Sequence, residues 1–210
     1  MISIIDYGVG NLYSLKSSLD ALGIENCVTK DEKQITTSEK IILPGVGAFG
    51  DAMKSLSSCG LDKVVISEAK RGKPILGICL GMQLLFEKSY EYGEHDGLGL
   101  IKGSIVPIAE VVSPEYKIPH IGWNALKFTG EKSPVFKYLK EGDCVYFVHS
   151  YYAADCEESV IATAEYGTAL TAAVQNKNVF GCQFHPEKSG KTGLSILKAF
   201  SEIKTGGDEK

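Results

Sequence analysis

In the first half of the chain, short runs with little polar interruption alternate with longer segments whose apolar residues recur every three or four positions. Ile2 to Ile5, Lys40 to Leu43 and Pro74 to Ile78 are Ile- and Leu-rich runs, the last two beside Pro and Gly, the pattern of strands covered on both faces. Between and after them, Leu12, Leu15, Leu19 and Leu22 mark one face of a helix. Leu56 to Arg71 reads as helix interrupted near Gly60, and Gly81 to Glu87 as a helix following the third strand. Alternation of this kind predicts a parallel sheet with helices on both faces.

The second half changes character. Ile105 to Ile108, Gly122 to Phe128, Val145 to His149, Val160 to Ala164 and Ala172 to Val174 read as strands with little helix between them. Polar Gln175 to Asn178 followed by Val179 to Phe184 predicts a hairpin, and Leu194, Leu197 and Phe200 give a final helix one apolar face. The expected fold is therefore α/β: a mixed, mainly parallel central sheet with an antiparallel extension.

Composition narrows the class. A chain of 210 residues with 44% hydrophobic and 23% charged positions suits a single domain with one sizeable core. That domain is expected over 1–204, leaving the polar residues 205–210 as a disordered tail. Lys and Arg number 22 against 26 Asp and Glu, a net charge of -4, which speaks against a nucleic-acid partner. The first residues lack a signal peptide's cationic start and apolar stretch, and no later run is long enough to span a bilayer. A cytoplasmic protein without membrane contact is expected. Six cysteines, at 27, 59, 79, 144, 156 and 182, form no C-x-x-C pair, so they predict free thiols rather than disulfides or a metal site.

Three segments carry candidate chemistry. In Gly77-Ile78-Cys79-Leu80-Gly81-Met82-Gln83 a nucleophile stands between glycines after a strand and before a helix, where a sharp elbow leaves no room for flanking side chains. Backbone N–H groups at such a helix start favour a thiolate and donate to an oxyanion. A buried cysteine in a glycine-rich turn would look the same. Phe184-His185-Pro186-Glu187 follows a strand, and extended backbone points residues i and i+2 the same way. With Pro186 restricting both itself and His185, imidazole and carboxylate suit a base and its orienting acid, although alone they also suit a surface pair. Leu43 to Gly50 ends a strand in a glycine-rich loop, either an anion-binding turn or a plain tight one. It lacks the Lys-Ser/Thr ending of a phosphate-binding loop.

Taken together and in this order, Pro44-Gly45-Val46-Gly47, Gly77 to Gln83 and His185-Pro186-Glu187 resemble the class I, triad-type glutamine amidotransferases over nearly the whole chain. Within that family, His120 to Asn124, Tyr146 to Tyr152 and Phe184 to Ser189 resemble the glutaminase subunits that supply a separate (β/α)8 cyclase subunit in histidine synthesis. The resemblance implies hydrolysis of glutamine with no metal and no cofactor, and passage of ammonia to the cyclase within a heterodimer. It implies Cys79 as nucleophile, His185 as proton shuttle and Glu187 as its orienting group. Leu80 and the loop residues Val46 and Gly47 become the oxyanion donors, and Gln83, Ser150 and Tyr151 the glutamine contacts. Asn11, Trp123, Tyr146 and Lys188 become the partner-facing set. His120 and His149 are read as structural.

Three other readings stay open on the sequence. A related chain of the same enzyme class would feed ammonia to a different acceptor enzyme, a scaffold would keep the fold without the reaction, and a thiol hydrolase would use the same triad on a different substrate, against which the Gln83 and Ser150-Tyr151 context favours glutamine. The intact Cys79, His185 and Glu187 argue against the scaffold.

Overall fold

The computed structural model of the protein describes residues 1–204, so the tail expected at 205–210 lies outside the described residues. Strands β1 (Ile2–Ile5), β2 (Asn26–Thr29), β3 (Lys40–Leu43) and β4 (Ile75–Ile78) are joined through helices α1 (Leu12–Ala21), α2 (Glu32–Thr37), α3 (Phe49–Ser58) and α4 (Leu61–Lys70). After β4 come the short α5 (Leu80–Leu84), then β5 (Phe86–Ser89), β6 (His95–Asp96), β7 (Ile101–Pro107), β8 (His120–Ala125) and β9 (Lys127–Phe128). The chain continues through β10 (Cys144–His149), β11 (Tyr151–Ala154), β12 (Val160–Glu165), β13 (Ala169–Asn176) and β14 (Val179–Cys182) to α6 (Gly190–Ser201).

The central sheet runs β2-β1-β3-β4-β14-β13-β12-β9. From β2 to β14 its pairings are parallel, and from β14 to β9 antiparallel, so the mixed sheet with an antiparallel extension is the fold observed. A second sheet, β11-β7-β5-β6, and a two-stranded ribbon, β10-β8, complete it.

Successive residues of the buried strands point to opposite faces, which explains why those runs are apolar throughout. Ile5, Ile41, Leu43 and Ile75 pack with Phe49, Leu56 and Val65 of α3 and α4, and with Phe86, Ile101 and Ile105 of the second sheet. Ile4, Ile42, Leu76 and Ile78 face the other way, onto Leu15 and Leu19 of α1, Leu197 and Phe200 of α6, and Phe147 of the ribbon.

Several boundaries differ from the sequence reading. The helix expected over Gly81 to Glu87 stops at Leu84, and Phe86 opens β5. The carbonyls of Leu84, Leu85 and Phe86 are taken by the backbone N–H groups of Leu98, Leu100 and Gly99 at 2.8 to 3.0 Å, and these bonds fix the segment in another path. Gly122 to Phe128 is split at Leu126, whose N–H and carbonyl bond back to Asp143 and Gly142 at 3.0 Å. β2 and α2 were not expected, so Lys40 to Leu43 is the third strand in the chain rather than the second. β7 begins at Ile101, and Ile108 already belongs to a 3-10 turn.

The feature that positions the site is a pair of glycines. Gly77 on β4 and Gly181 on β14 are register partners, and both face α5. A methyl group at Gly77 would lie 2.6 Å from the Gly81 carbonyl oxygen, and one at Gly181 would lie 2.6 Å from Met82 Cγ. Without side chains there, α5 lies directly on the sheet with Met82 buried between them.

Candidate active site

Cys79 terminates β4 with φ 54° and ψ -112°, a left-handed conformation that costs a non-glycine residue about 1 to 3 kcal/mol. The surroundings enforce it. The Cys79 N–H donates to the Cys182 carbonyl at 2.8 Å, and its own carbonyl accepts from Gln83 N–H at 3.2 Å. Gly81 is equally constrained, since a Cβ there would lie 1.8 Å from the Leu43 carbonyl oxygen. The result is a strained elbow that holds the thiol, 8% exposed, at the C-terminal edge of the sheet.

The neighbouring strand delivers the other groups. Past β14, His185 donates its backbone N–H to the Tyr146 carbonyl at 3.0 Å, which ties it to β10. Pro186 to Lys188 form a 3-10 turn, so it is a turn and not an extended strand that brings residues 185 and 187 together. His185 Nδ1 lies 2.8 Å from Glu187 Oε1 with both side chains only 3% exposed. Glu187 Oε2 is buried without a hydrogen-bond partner among the described residues. Burial disfavours the charged imidazole, but the Cys79 sulfur and the Glu187 carboxylate beside it outweigh burial and hold His185 up at about 9. At neutral pH His185 is an imidazolium beside the Cys79 sulfur, the arrangement in which a cysteine is activated.

Gln183, unremarked in the sequence, is fully buried and points its Nε2 at Cys79 Sγ, 3.7 Å away. Its Oε1 accepts from Gln83 Nε2 at 3.0 Å, and Gln83 Nε2 also donates to the Tyr151 carbonyl at 3.3 Å. Both amide protons of Gln83 are thus committed inside the protein, a buried-polar role alongside the substrate contact expected of it. The visible signal for Gln183 was a lone amide at the end of an apolar strand.

His149 and His120 form a buried pair. His149 Nδ1 bonds the Tyr151 carbonyl at 2.8 Å, which makes it the N–H side, and its Nε2 meets His120 Nδ1 at 3.0 Å. Burial, opposed in part by that backbone bond, pushes His149 down to about 4, and burial lowers His120 as well. Both are neutral at pH 7.

The oxyanion candidates are Leu80, which follows Cys79 in the chain, and the loop after β3, whose Gly45 packs against Leu80 and Gly81. Leu80 is buried, Val46 is 40% exposed, and Gly47 has φ +95°. Among the described residues none of the N–H groups of Val46, Gly47 and Leu80 is spent on another protein group. The carboxylate of Glu91 accepts the Phe49 N–H at 2.6 Å, capping α3 just beyond this loop. No sequence pattern marked it. The Ser150 carbonyl accepts from Ile108 at 2.9 Å, and Tyr151, edge-on to Tyr92, is joined to Cys79 through Gln83 and Gln183.

Around the rim, Trp123 and Tyr146 are cross-strand neighbours in the ribbon, ring centroids 6.2 Å apart, and Lys188 Nζ stands 6.0 Å over the Tyr146 ring. Trp123 is 57% exposed and Ile121, on the same face, 58%. Asn11 borders a small cleft shared with Val46, His185 and Glu187. No group of His, Cys, Asp and Glu suited to a metal ion occurs among the described residues.

Comparison with known proteins gives the family. The family model for glutamine amidotransferase class-I matches residues 3–203. The chain is 50% identical over 204 residues to "Imidazole glycerol phosphate synthase subunit HisH" of Oceanobacillus iheyensis, covering 97% of this chain and 99% of that protein. It is also 50% identical to the protein of that name from Caldanaerobacter subterraneus, covering 97% and 98%. Among solved structures, a glutamine amidotransferase matches with TM-score 0.73 at 20% identity, covering 95% of this chain and 98% of that one. PurLQS from Thermotoga maritima matches with TM-score 0.72 at 22% identity, covering 95% and 96%. A family model across almost the whole length, and relatives that share half their residues end to end, lead to one conclusion: the chain belongs to the class I glutamine amidotransferases, among the HisH subunits of imidazole glycerol phosphate synthase.

Proposed function

We propose that this subunit hydrolyses glutamine through Cys79, His185 and Glu187 and hands the ammonia to a cyclase partner in imidazole glycerol phosphate synthesis. The observation that carries the reading is the buried 2.8 Å contact of His185 with Glu187 beside a thiol held in a strained elbow.

The Cys79 thiolate attacks the side-chain carbonyl carbon of glutamine, and the electron pair moves to the oxygen. Leu80 N–H and a donor from the Val46-Gly47 loop receive that oxyanion. As the tetrahedral species collapses, the C–N bond breaks, His185 gives its proton to the departing nitrogen, and ammonia leaves. Water, deprotonated by His185, then attacks the thioester and releases glutamate. Glu187 fixes the tautomer and balances the charge of the imidazolium. Gln183 and Gln83 hold the sulfur and the Tyr151 backbone in place.

Partner docking is read onto Asn11, Trp123, Tyr146 and Lys188, around the exposed ring of Trp123. The partner is taken as a (β/α)8 cyclase in a one-to-one heterodimer. Residues 1–204 are taken as one domain, and the free thiols at all six cysteines support a reducing, cytoplasmic setting.

The test is glutamate release with and without the cyclase subunit, for wild type and Cys79→Ala. Release that needs the partner and disappears in Cys79→Ala supports the reading; release that survives the substitution removes Cys79 as nucleophile.

A further inference from the structure

The phenol of Tyr7 is a buried group the mechanism has not used. It follows β1, is 4% exposed, and donates its hydroxyl to the Pro44 carbonyl at 2.7 Å. That carbonyl belongs to the peptide at which the loop after β3 begins. The same peptide is closed in from the other side. A methyl group at Gly45 would lie 2.8 Å from Tyr7 Oη, 2.8 Å from Gly81 N and 2.9 Å from Leu80 Cβ. The Pro44–Gly45 unit therefore has no room to turn between the phenol and the start of α5.

Two residues on, the constraint ends. Val46 is 40% exposed, and Gly47 has φ +95° with no atom within 4 Å of where a Cβ would be. The loop thus has a clamped root and a free tip, with glycine on each side of Val46 to absorb rotation. Burial, with the nearby Cys79 adding to it, holds the Tyr7 phenol above its ordinary range, so the donor keeps its proton at any working pH.

We propose that Tyr7 is a positioning residue for glutamine hydrolysis: by pinning the Pro44 carbonyl it confines rearrangement of the loop to the Gly45–Val46 and Val46–Gly47 peptides, whose N–H groups meet the oxyanion. The proposal rests on the reading of this loop as an oxyanion donor. A loosened root leaves the glutamine contacts intact but lowers the fraction of time the donor is aimed at the developing charge. The effect falls on the transition state and not on substrate binding.

The experiment compares wild type and Tyr7→Phe, each in complex with the cyclase subunit, by glutamate release, and by the rate at which iodoacetamide alkylates Cys79, followed on the Cys79 peptide by mass spectrometry. Alkylation forms a sulfur–carbon bond as iodide leaves and passes through no oxyanion, so it reports the thiolate alone. The expected result is a fall in kcat of about tenfold, the scale of one hydrogen bond, with KM within about twofold and alkylation unchanged. An unchanged kcat overturns the proposal. Alkylation that falls in step with kcat also overturns it, since Tyr7 would then act on the thiol. A variant that no longer unfolds cooperatively overturns it too, because the hydroxyl would be holding the fold and not the loop. A wild-type complex without activity, or activity surviving Cys79→Ala, removes the underlying reading before Tyr7 is touched.

Discussion

His185 and Glu187 meet where water does not reach: Nδ1 and Oε1 are 2.8 Å apart, and each side chain is 3% exposed. The turn Pro186 to Lys188 makes that contact local, and the Tyr146 carbonyl anchors its first residue. The pair is therefore rigid with respect to the ribbon that carries the exposed Trp123. Glu187→Gln keeps an oxygen acceptor but removes the charge, and is expected to lower partner-stimulated kcat by roughly a hundredfold or more, measured by glutamate release. A loss confined to KM would place Glu187 in substrate binding.

The pH dependence of His185 has a definite sign. Its value in the folded protein, about 9, lies above the ordinary 6.5, so the folded state holds the proton more tightly. The stabilisation is complete below about pH 6.5 and is lost as pH rises through about 9. Since Cys79 is one of the causes of the shift, Cys79→Ala should bring the imidazole titration, followed by NMR, down toward neutrality. A titration that does not move would separate the two residues.

His149 behaves in the opposite sense. Held at about 4 in the fold against 6.5, it takes up a proton preferentially when unfolded, so stability falls as pH drops from about 6.5 toward 4. Between about pH 6.5 and 5 the loss amounts to about 1.5 kcal/mol. Urea unfolding across that interval should show the slope, and His149→Gln should flatten it.

The two glycines under α5 are not equivalent. A methyl group at Gly77 meets backbone, the Gly81 carbonyl at 2.6 Å, whereas one at Gly181 meets the flexible Met82 side chain at the same distance. Gly77→Ala is expected to destabilise by about 2 kcal/mol or more and Gly181→Ala by less, read from urea midpoints. Glutamate release should fall further for Gly77→Ala, because the displaced backbone carries Leu80 N–H.

Trp123 is the single tryptophan of the chain and is 57% exposed, so its fluorescence reports docking without labels. Adding the cyclase subunit should shift its emission to the blue. Trp123→Ala should weaken the complex by about 2 kcal/mol, measured by calorimetry, while the melting temperature of the free subunit stays unchanged.

Much of this was legible in the chain. The buried strands β1, β3 and β4 announce themselves because both faces are covered, and the hairpin β13-β14 because polar residues separate two apolar runs. β2 was invisible, since Asn26 to Thr29 lies mostly half-buried at the sheet edge and lacks the apolar signal. Leu84 to Phe86 reads as helix because the pull of the segment after it, 97–101, is a tertiary effect. Cys79, His185 and Glu187 stood out as candidates by their glycine and proline surroundings, which left other readings open until the three segments were taken together as a family resemblance. Gln183, Glu91 and Tyr7 did not, because each acts through a partner far away in the chain.

That distance bears on synthesis. Cys79 follows β4 and His185 follows β14, adjacent strands whose pairing joins Gly77 to Gly181, while Gln183 and Cys79 are separated by 104 positions. A ribosome adding about 5 to 20 residues each second exposes the cysteine for several seconds before the histidine exists. During that interval the thiol has no imidazolium beside it and no glutamine amide at its sulfur. Insertion of β14 between β4 and β13 is the event that brings the amide and the imidazole to the thiol, so completion of the sheet and assembly of these three side chains are one step.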